Sequence, residues 1–386
     1  MKLQAPAKWH PASWRRRPVA QQPDWPDPCQ LSRARAVLAA AAPLVTAAEA
    51  RGLRRTLALV ADRRAFVVQA GDCAEPFGGE AVRAARAKSL ILARLSDQFG
   101  ARLGVPVVVV GRLAGQFAKP RTALSEVIDG RLVPTFRGLA VNAPEPLVSA
   151  RRPDPGRMLR AYGTARAVLA ELRSALWTSH EALLLDYEEA LVRSGPGAGE
   201  WYLSSTHFPW IGDRTRQVDG AHVAFLSGVT NPVACKIGPD AEPESVVDLC
   251  ARLDPHRSPG RLTLICRLGV NAVRHRLPEL VEAVREAGHP VVWLCDPMHG
   301  NTRRTQHGVK TRWLSDIAGE ITACREILTE RGEWLGGLHL ELAGDDVTEC
   351  VGGDVTGEED LSRRYTSLCD PRLNNKQAMS LTTLLG

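Results

Sequence analysis

Short apolar runs alternate with longer stretches of helical periodicity over most of this 386-residue chain, and this alternation constrains the fold more than any other feature. Each run ends in a polar or glycine-containing cluster, as expected of strands buried on both faces. The runs cover residues 65–69, 105–110, 182–186, 201–205, 232–236, 262–267, 290–295 and 337–342. Helices are predicted at residues 79–98, 157–176, 243–253, 277–287 and 313–330. The pattern predicts an α/β fold, a (β/α)8 TIM barrel with an N-terminal extension; a doubly wound sheet is the alternative.

The N-terminal region differs in character from the rest of the chain. Residues 1–30 hold three tryptophans, an arginine run and five prolines after Lys8, which favours an extended arm laid over a neighbouring domain. Residues 31–63 are rich in Ala, Leu and Arg, and they predict two helices broken near Ala42 and Pro43. We therefore expect residues 1–63 to form an arm and helices packed on the barrel, and residues 64–386 to form the catalytic barrel.

Composition narrows the class of protein. Hydrophobic residues make up 44% of the chain and charged residues 24%, as in globular proteins. No stretch reaches about 18 uncharged apolar residues, so no membrane span is expected. The first residues lack the apolar core of a secretion signal. Nine cysteines, an odd number, then indicate reduced thiols and a cytoplasmic location.

The basic residues are unusual in kind more than in number. The formal net charge is +6, but the 49 basic residues are mostly interleaved with acidic ones. With only four Tyr and seven Phe, the aromatic and basic interleaving typical of a nucleic-acid binding module is poor, and no nucleic-acid partner is expected. Only seven of the basic residues are lysine. Because lysine and arginine differ in geometry and acidity, lysines retained beside Gly or Pro are candidates for site chemistry.

Two groups of polar residues follow the predicted strands, where the active site of a barrel lies. The first group is cationic and suits a small polyanion such as a phosphorylated carboxylic acid; it comprises Arg112, Lys119, Arg214, Lys236 and Arg267. The second group offers soft and hard ligands for a divalent ion such as Mn, Co, Fe or Zn; it comprises Cys73, His299, Glu341 and Asp370. No CxxC or HExxH spacing supports the second group, and single members of either group could serve as salt bridges or packed core residues.

Several long motifs resemble those of the class II (plant-type) DAHP synthases. They lie at residues 69–75 (QAGDCAE), 111–121 (GRLAGQFAKPR), 178–188 (TSHEALLLDYE), 207–223 (HFPWIGDRTRQVDGAHV), 231–239 (NPVACKIGP), 296–302 (DPMHGNT), 336–353 (GGLHLELAGDDVTECVGG) and 369–374 (CDPRLN). Trp14-Arg15 and Gln21-Gln22-Pro23 in the arm also match. The resemblance implies a (β/α)8 barrel that condenses phosphoenolpyruvate with erythrose 4-phosphate and water. The products would be 3-deoxy-D-arabino-heptulosonate 7-phosphate and phosphate, at the entry to the shikimate pathway and aromatic amino acid biosynthesis.

The resemblance also implies roles for individual residues. Cys73, His299, Glu341 and Asp370 are similar to the family's ligands for a divalent metal, Mn²⁺ or Co²⁺ first and Zn²⁺ or Fe²⁺ as alternatives. Arg112, Asp213, Arg214, Lys236 and Arg267 match its phosphoenolpyruvate site, whereas Lys119, Thr122 and Lys310 match positions that handle the aldose phosphate. Lys236, Arg112, Cys73 and His299 are the expected catalytic residues. Lys236 is also a hypothetical proton donor, because neighbouring arginines would depress its pKa.

The chain departs from the family pattern at a few positions. Asp213 replaces a usual Glu, Thr122 a usual Ser and Asp346 a usual Asn, while residues 136–142 lack the Asp and Asn usual after Gly138. The stretch between Arg121 and Thr178 is short for the family. We therefore expect weak or absent feedback inhibition, as in short forms that serve secondary metabolism such as phenazine-type pathways.

Other expectations and alternatives accompany this assignment. A homo-oligomer, dimer or tetramer, is expected, and Cys369 is a hypothetical disulfide partner of Cys73 in the metal-free protein. One alternative is a metal-free aldolase that forms a Schiff base on Lys236 or Lys119. Another is a related synthase whose acceptor is an aminosugar phosphate.

Overall fold

We describe the protein from a computed structural model, which covers residues 9–128, 130–172 and 176–385. The strands in these residues are β1 (Phe66–Gly71), β2 (Val107–Arg112), β3 (Ser125–Ile128), β4 (Arg131–Pro134), β5 (Trp177–Glu181), β6 (Val192–Ser194), β7 (Trp201–Leu203), β8 (Phe208–Ile211), β9 (Val233–Ile237), β10 (Leu262–Cys266), β11 (Val292–Cys295), β12 (Arg303–Arg304), β13 (Lys310–Thr311) and β14 (Leu335–Glu341).

The helices in the same residues are α1 (Pro28–Ala40), α2 (Ala47–Ala61), α3 (Gly79–Leu103), α4 (Gly156–Leu172), α5 (Leu185–Ala190), α6 (Ala221–Leu226), α7 (Pro243–Leu253), α8 (Val273–Glu286), α9 (Leu314–Glu330) and α10 (Asn375–Ser380). Short 3-10 helices lie at Ser13–Arg16, Asp213–Thr215, Glu358–Arg363 and Leu381–Leu384. No helix among the described residues has the length and apolar character needed to cross a membrane.

Eight parallel strands close into a barrel in the order β1-β14-β11-β10-β9-β8-β5-β2. The closing pair joins β1 to β14 with Gln69 opposite His339 and Gly71 opposite Glu341, which brings the ends of these two strands level. The barrel strands are buried on both faces, as their continuous apolar runs predict. The predicted (β/α)8 barrel is confirmed, and the doubly wound sheet is excluded.

Two of the eight predicted strands were placed wrongly. Residues 182–186 enter helix α5, and the barrel strand precedes them as β5. Residues 201–205 overlap β7, which pairs only with β6 in a small antiparallel sheet, and the barrel strand follows as β8. Both errors arise because loop and hairpin segments packed on a barrel are as apolar as its strands. The other six runs coincide with barrel strands to within two residues at either end.

The predicted helices all occur, and all but one have shifted ends. Helix α7 has the predicted bounds, while α3 runs five residues beyond them to Leu103. Helix α4 ends at Leu172, and residues 173–175 of its predicted span lie outside the described residues. The stretch in which the prediction was least detailed, residues 120–176, holds the β3–β4 hairpin and α4.

The N-terminal extension has the two helices that the sequence predicts. Helix α1 begins behind the Asp27 cap, and α2 begins with a capping box formed by Thr46 and Glu49. Leu53 and Leu57 of α2 pack with buried barrel residues such as Phe208, so this helix covers the N-terminal end of the barrel. Residues 1–8 of the predicted arm lie outside the described residues. The opposite end of the barrel is where the polar residues gather.

Candidate active site

A cavity of about 410 Å³ lies at the carboxyl ends of the barrel strands. All five members of the cationic group line it, although they come from distant segments. Five more predicted residues also line it, namely Thr122, Asp213, His299, Lys310 and Asp370. Cys73 and Glu341 lie behind this lining, both buried. A small polyanion bound in this cavity would thus be surrounded by cations.

Glu341 is held by two buried arginines beneath the cavity. Its Oε1 atom accepts from the guanidinium of Arg112 at 2.9 Å, and its Oε2 atom accepts from Arg312 at 2.7 Å. The charges of His299, Arg312 and Arg112 outweigh the effect of burial and hold the pKa of Glu341 well below its usual range. Arg112 also lies over the ring of Trp210, 5.5 Å from the ring centre. Glu341 is therefore a carboxylate anion and could also bind a cation.

Lys236 contacts two polar groups of the strand-end loop after β11. Its Nζ atom lies 2.8 Å from Asp296 Oδ2 and 3.3 Å from His299 Nδ1. Burial lowers the pKa of Lys236, Arg112 lowers it further, and Asp296 opposes both. This ammonium is closer to giving up its proton than an exposed lysine would be, as a general acid requires.

His299 has one nitrogen fixed and the other turned towards Glu341. Its Nδ1 atom lies 2.8 Å from Asp296 Oδ2, and its Nε2 atom lies 3.0 Å from Glu341 Oε1. His299 and Lys236 outweigh burial and hold the pKa of Asp296 well below its usual range. A metal-binding histidine usually binds the ion through one ring nitrogen and donates from the other to a carboxylate. The contact of Nδ1 with Asp296 fits this arrangement, with Nε2 directed at the ligand cluster.

The donor atoms of Cys73, Glu341 and Asp370 all lie within 4.8 Å of one another. With Nε2 of His299 beside Glu341, the four predicted ligands form one cluster of sulfur, nitrogen and oxygen donors. The hydrogen bond with Cys369 and burial raise the pKa of the Cys73 thiol well above its usual value. A divalent cation would favour the thiolate and offset the negative charges of the carboxylates, so the residues fit a transition-metal ion. A second group, formed by Asp296, His299 and His339, lies alongside.

Lys119 and Lys310 both bind Asp370. Their Nζ atoms lie 2.8 and 3.0 Å from the two oxygens of this carboxylate. Burial alone would lower the pKa of Lys119, but the Asp370 charge outweighs burial and raises it. The same ammonium groups hold the pKa of Asp370 below its usual range against burial. Lys119 therefore remains charged, and both lysines link the cluster to the part of the cavity predicted for the aldose phosphate.

The structure places Asp213 as a support for arginines. Its carboxylate accepts from Arg267 at 2.9 Å, from Arg216 at 2.9 Å and from the Gly238 N–H at 3.0 Å. Arg267 also donates to the carbonyl of His299 at 3.0 Å. The Asp213 side chain is thus already occupied, and it orients Arg267 towards the cavity. Arg214 is exposed at the mouth and donates to the hydroxyl of Thr122 at 3.0 Å.

Sequence reasoning missed several residues that complete the site. Glu181 lines the cavity, and its buried Oε1 atom has no hydrogen-bond partner among the described residues. Burial raises the pKa of Glu181, although Lys236 and Lys119 oppose this shift. A Cβ atom at position 212 would collide with this carboxylate, so Gly212 is required there. Glu181 would have been noticed as a strand-end acid if β5 had been placed correctly.

Three other contributors were missed for different reasons. Asp296 directly follows a correctly predicted strand, and the signal was present but was not assigned a role. Trp210 lies within 5.9 Å of both Arg112 and Lys236 along the barrel wall. Arg312 follows β13 and precedes α9, far from any predicted strand end, and no sequence signal indicates its contact with Glu341.

Comparisons with known proteins agree along nearly the whole chain. The model of the Class-II DAHP synthetase family matches residues 9–176 and 172–386. A Pseudomonas fluorescens protein named "Probable phospho-2-dehydro-3-deoxyheptonate aldolase" is 47% identical over 372 residues, covering 93% of this chain and 92% of the relative. The phospho-2-dehydro-3-deoxyheptonate aldolase of Streptomyces coelicolor is 40% identical, covering 97% and 96%. That of Neurospora crassa is 39% identical, covering 98% and 94%.

Proposed function

The chain belongs to the class-II DAHP synthetase family, and we propose that it condenses phosphoenolpyruvate with erythrose 4-phosphate and water. The products are 3-deoxy-D-arabino-heptulosonate 7-phosphate and inorganic phosphate. The relatives named above support the reaction. The observation that carries the proposal is the cavity itself, in which five cations converge beside a cluster of Cys, His, Glu and Asp donors.

Four members of the cationic group bind the phosphate and carboxylate of phosphoenolpyruvate, namely Arg112, Arg214, Lys236 and Arg267. Arg267 is oriented by Asp213, Lys236 by Asp296, and Arg112 by Glu341, so their positions are set before substrate arrives. Such preorganised charges neutralise the phosphate as it departs and hold the enol ester in one orientation. Lys119, Lys310 and Thr122 also line the cavity and receive the aldose phosphate.

Cys73, His299, Glu341 and Asp370 would hold a divalent metal ion, with Mn²⁺ or Co²⁺ as the expected ion and Zn²⁺ or Fe²⁺ as alternatives. When bound, such an ion supplies Lewis acidity that makes the aldehyde carbon of the acceptor more electrophilic. The supporting observation is the arrangement of His299, whose Nδ1 is fixed by Asp296 while its Nε2 faces Glu341.

The proton transfers belong to Lys236 and Glu181. Carbon C3 of the enol ester attacks the aldehyde carbon, and the former aldehyde oxygen gains a proton from the Lys236 ammonium, whose pKa is lowered by burial. Water then adds at C2, and its proton passes to the unpartnered carboxylate of Glu181, whose pKa is raised by burial. The C–O bond to phosphate breaks last: the C2 hydroxyl becomes the ketone and its proton leaves with the phosphate. Exchange with solvent then returns Glu181 and Lys236 to their starting protonation states. Each group has the pKa shift that its direction of transfer requires.

The Schiff-base alternative requires a lysine amine without its proton. Lys119 is bound to Asp370, which raises its pKa, and Lys236 is bound to Asp296. The contact with Asp370 favours the ammonium form of Lys119 and opposes imine formation there. On Lys236 the Asp296 contact acts in the same direction but does not outweigh burial, so borohydride trapping tests the imine at this residue. An aminosugar phosphate remains the alternative acceptor, and a comparison of the two acceptors in the assay described below decides between them.

We also propose weak feedback control, a cytoplasmic location and a homo-oligomeric state. The described residues between Arg121 and Thr178 hold the β3–β4 hairpin and α4, with little room for an added regulatory unit. Added Phe, Tyr or Trp at sub-millimolar concentration should leave the rate unchanged, and strong inhibition would refute this part of the proposal. The link to phenazine-type secondary metabolism rests on the same short stretch.

The test is phosphate release from phosphoenolpyruvate plus erythrose 4-phosphate, measured before and after EDTA treatment and again after Mn²⁺ or Co²⁺ is added. We expect EDTA to abolish release and either ion to restore it. The Lys236→Met variant should lose at least about 100-fold in kcat, because it lacks the proton donor. Activity that survives EDTA would refute the metal cluster, unchanged turnover of Lys236→Met would refute the acid role, and absence of activity with this acceptor would favour the aminosugar phosphate.

A further inference from the structure

The loop after β2 carries several residues that line the cavity close together in the chain, polar side chains among them. Lys119, Arg121 and Thr122 belong to residues 119–122, here called the acceptor segment, which has no helical or strand structure. Because a segment without regular hydrogen bonding does not fix its own shape, its contacts with other parts of the molecule set the positions of these side chains.

The first of these contacts comes from the N-terminal arm, about 100 residues away in the chain. The side-chain oxygen of Gln21 accepts a hydrogen bond from the backbone N–H of Arg121 at 2.8 Å. Gln21 has a left-handed backbone with φ of 61°, which is uncommon for a residue other than glycine. Such a conformation persists where surrounding contacts hold it, and it turns the Gln21 side chain to the acceptor segment.

The second contact runs through Arg137. Its guanidinium donates to the backbone carbonyl of Gln21 at 2.6 Å and to that of Gln22 at 3.1 Å. The carbonyl of Arg137 in turn accepts from the backbone N–H of Lys119 at 2.9 Å. The arm therefore holds the acceptor segment at both ends, directly at Arg121 and through Arg137 at Lys119.

The arm is itself fixed to the barrel at the same place. The Gln22 side chain donates to the carbonyl of Leu183 at 2.7 Å and accepts from the N–H of Leu185 at 3.0 Å. These residues follow β5, the strand that ends in Glu181. Gln21 and Gln22 thus connect the loop after β5 to the loop after β2. These contacts fix the position of the acceptor segment relative to the strand that carries Glu181.

We propose that the arm is a working part of the acceptor end of the active site, with Gln21 and Arg137 as positioning residues for Lys119, Arg121 and Thr122. The inference rests on the proposed function, since it assigns this end of the cavity to the aldose phosphate. Arg214 contacts the acceptor segment at Thr122, but the other three cations of the phosphoenolpyruvate end do not depend on the arm in the same way. Arg267, Lys236 and Arg112 are each held by a carboxylate outside the arm.

The test compares Gln21→Gly with the wild-type protein. Glycine adopts the left-handed backbone without cost, so this variant keeps the turn and removes only the side-chain acceptor. We expect kcat/KM for erythrose 4-phosphate to fall about 10- to 100-fold through a higher KM, while KM for phosphoenolpyruvate changes less than about twofold. Arg137→Met should show the same selective loss.

The matched control is Gln30→Ala. Gln30 lies in α1 and donates to Asp154 at 3.2 Å, so it loses one side-chain hydrogen bond of the N-terminal region without touching the cavity lining. Its kinetics should equal those of the wild type. Thermal melting of all variants identifies any that fail to fold.

Hydrogen exchange gives a readout that needs no turnover. Peptides covering the acceptor segment should exchange faster in Gln21→Gly than in the wild type, and should be unchanged in Gln30→Ala. Unchanged exchange would overturn the proposal, as would faster exchange with unchanged KM for the aldose phosphate or an equal rise of KM for both substrates. An inactive wild-type protein would refute the proposed function instead, and the exchange experiment would still decide whether the arm holds the segment.

Discussion

Glu320 is a buried carboxylate of α9 that holds two loops of the active site together. Its Oε1 atom accepts from the backbone N–H groups of Leu268 and Gly269 at 3.0 and 2.8 Å, and its Oε2 atom accepts from the Asn301 side chain at 2.7 Å. Arg267 immediately precedes the first loop, and His299 lies in the second. One side chain outside the cavity thereby sets the relative position of a cation and a candidate ligand.

Burial and the nearby Asp296 charge raise the pKa of Glu320 to about 8, although its hydrogen bonds oppose the shift. An unfolded glutamate titrates near 4.3, so between about pH 4.3 and 8 the folded protein retains a proton that the unfolded chain has lost. The free energy of unfolding should therefore fall as pH rises through this window, by at most about 1.4 kcal/mol per pH unit from this group.

The Glu320→Gln variant lacks this titration. Relative to wild type, it should gain stability steadily between pH 5 and pH 8, as measured by urea unfolding at several pH values. Glu330→Gln, an exposed change at the end of the same helix, is the control and should follow the wild-type profile. Parallel pH profiles for Glu320→Gln and wild type would contradict the prediction.

At the scale of elements, other strand-end loops are held in the same manner. Glu75, after β1, accepts from the backbone N–H groups of residues 114–116 in the loop after β2 at 2.7–2.9 Å. Glu349 accepts from the N–H groups of Thr366 and Ser367 and from Arg372, which fixes the segment that carries Asp370. Buried carboxylates thus satisfy amides that no strand or helix satisfies, and the loops become rigid supports for the site.

This rigid arrangement brings Cys73 of the β1 loop against Cys369 of the C-terminal segment. Both are buried in one small apolar cluster with Phe136, and the pKa of Cys369 is lowered by its hydrogen bond with Cys73. Removal of a metal from Cys73 would leave these two thiols facing each other.

We expect an oxidant to inactivate the EDTA-treated enzyme, with activity restored by dithiothreitol plus metal. The Cys369→Ser variant should resist this treatment, because it has no partner for Cys73. Protection by Mn²⁺ added before the oxidant would show that the disulfide and the metal compete. Full activity of the oxidised, EDTA-treated wild type after metal is restored would rule out the disulfide.

At the scale of the whole molecule, the donor cluster gathers residues from across the fold. Cys73 follows β1, His299 follows β11, Glu341 ends β14, and Asp370 belongs to the C-terminal segment. A metal ion bound here would join four distant parts of the chain, and the unfolded chain would not reproduce the site. Binding to the folded state alone must raise its stability.

Mn²⁺ or Co²⁺ should therefore raise the melting temperature of the EDTA-treated protein by a few degrees, increasingly with metal concentration. Asp370→Asn should weaken this response, because an amide is a poorer ligand than a carboxylate. The measurement is a thermal melt at fixed pH with increasing metal, with Mg²⁺ as the control ion. A shift that is equal for wild type and Asp370→Asn would place the metal elsewhere.

The sequence by itself determined the barrel, most of its strands and the chemical types gathered at one end of it. The relevant pattern was a strand-like run followed by Arg, Lys, His or Asp beside Gly or Pro. This pattern was enough to predict which side chains gather, because the carboxyl ends of parallel strands meet at one end of the barrel. The misplaced strands at 182–186 and 201–205 show the limit, since apolar loops packed on a barrel have the same local pattern as its strands.

Only the tertiary structure decided which charges pair. The Asp213 carboxylate pairs with Arg267 and orients it. Lys119 and Lys310 both form ion pairs with Asp370. Glu341 pairs with Arg112 and also with Arg312, which was not predicted. Glu181 acquires its unpartnered oxygen from the end of β5, and Gln21 reaches Arg121 across 100 residues of chain. Local sequence reports burial and periodicity, whereas the partner and the pKa of a side chain depend on groups that are brought near only when the barrel closes.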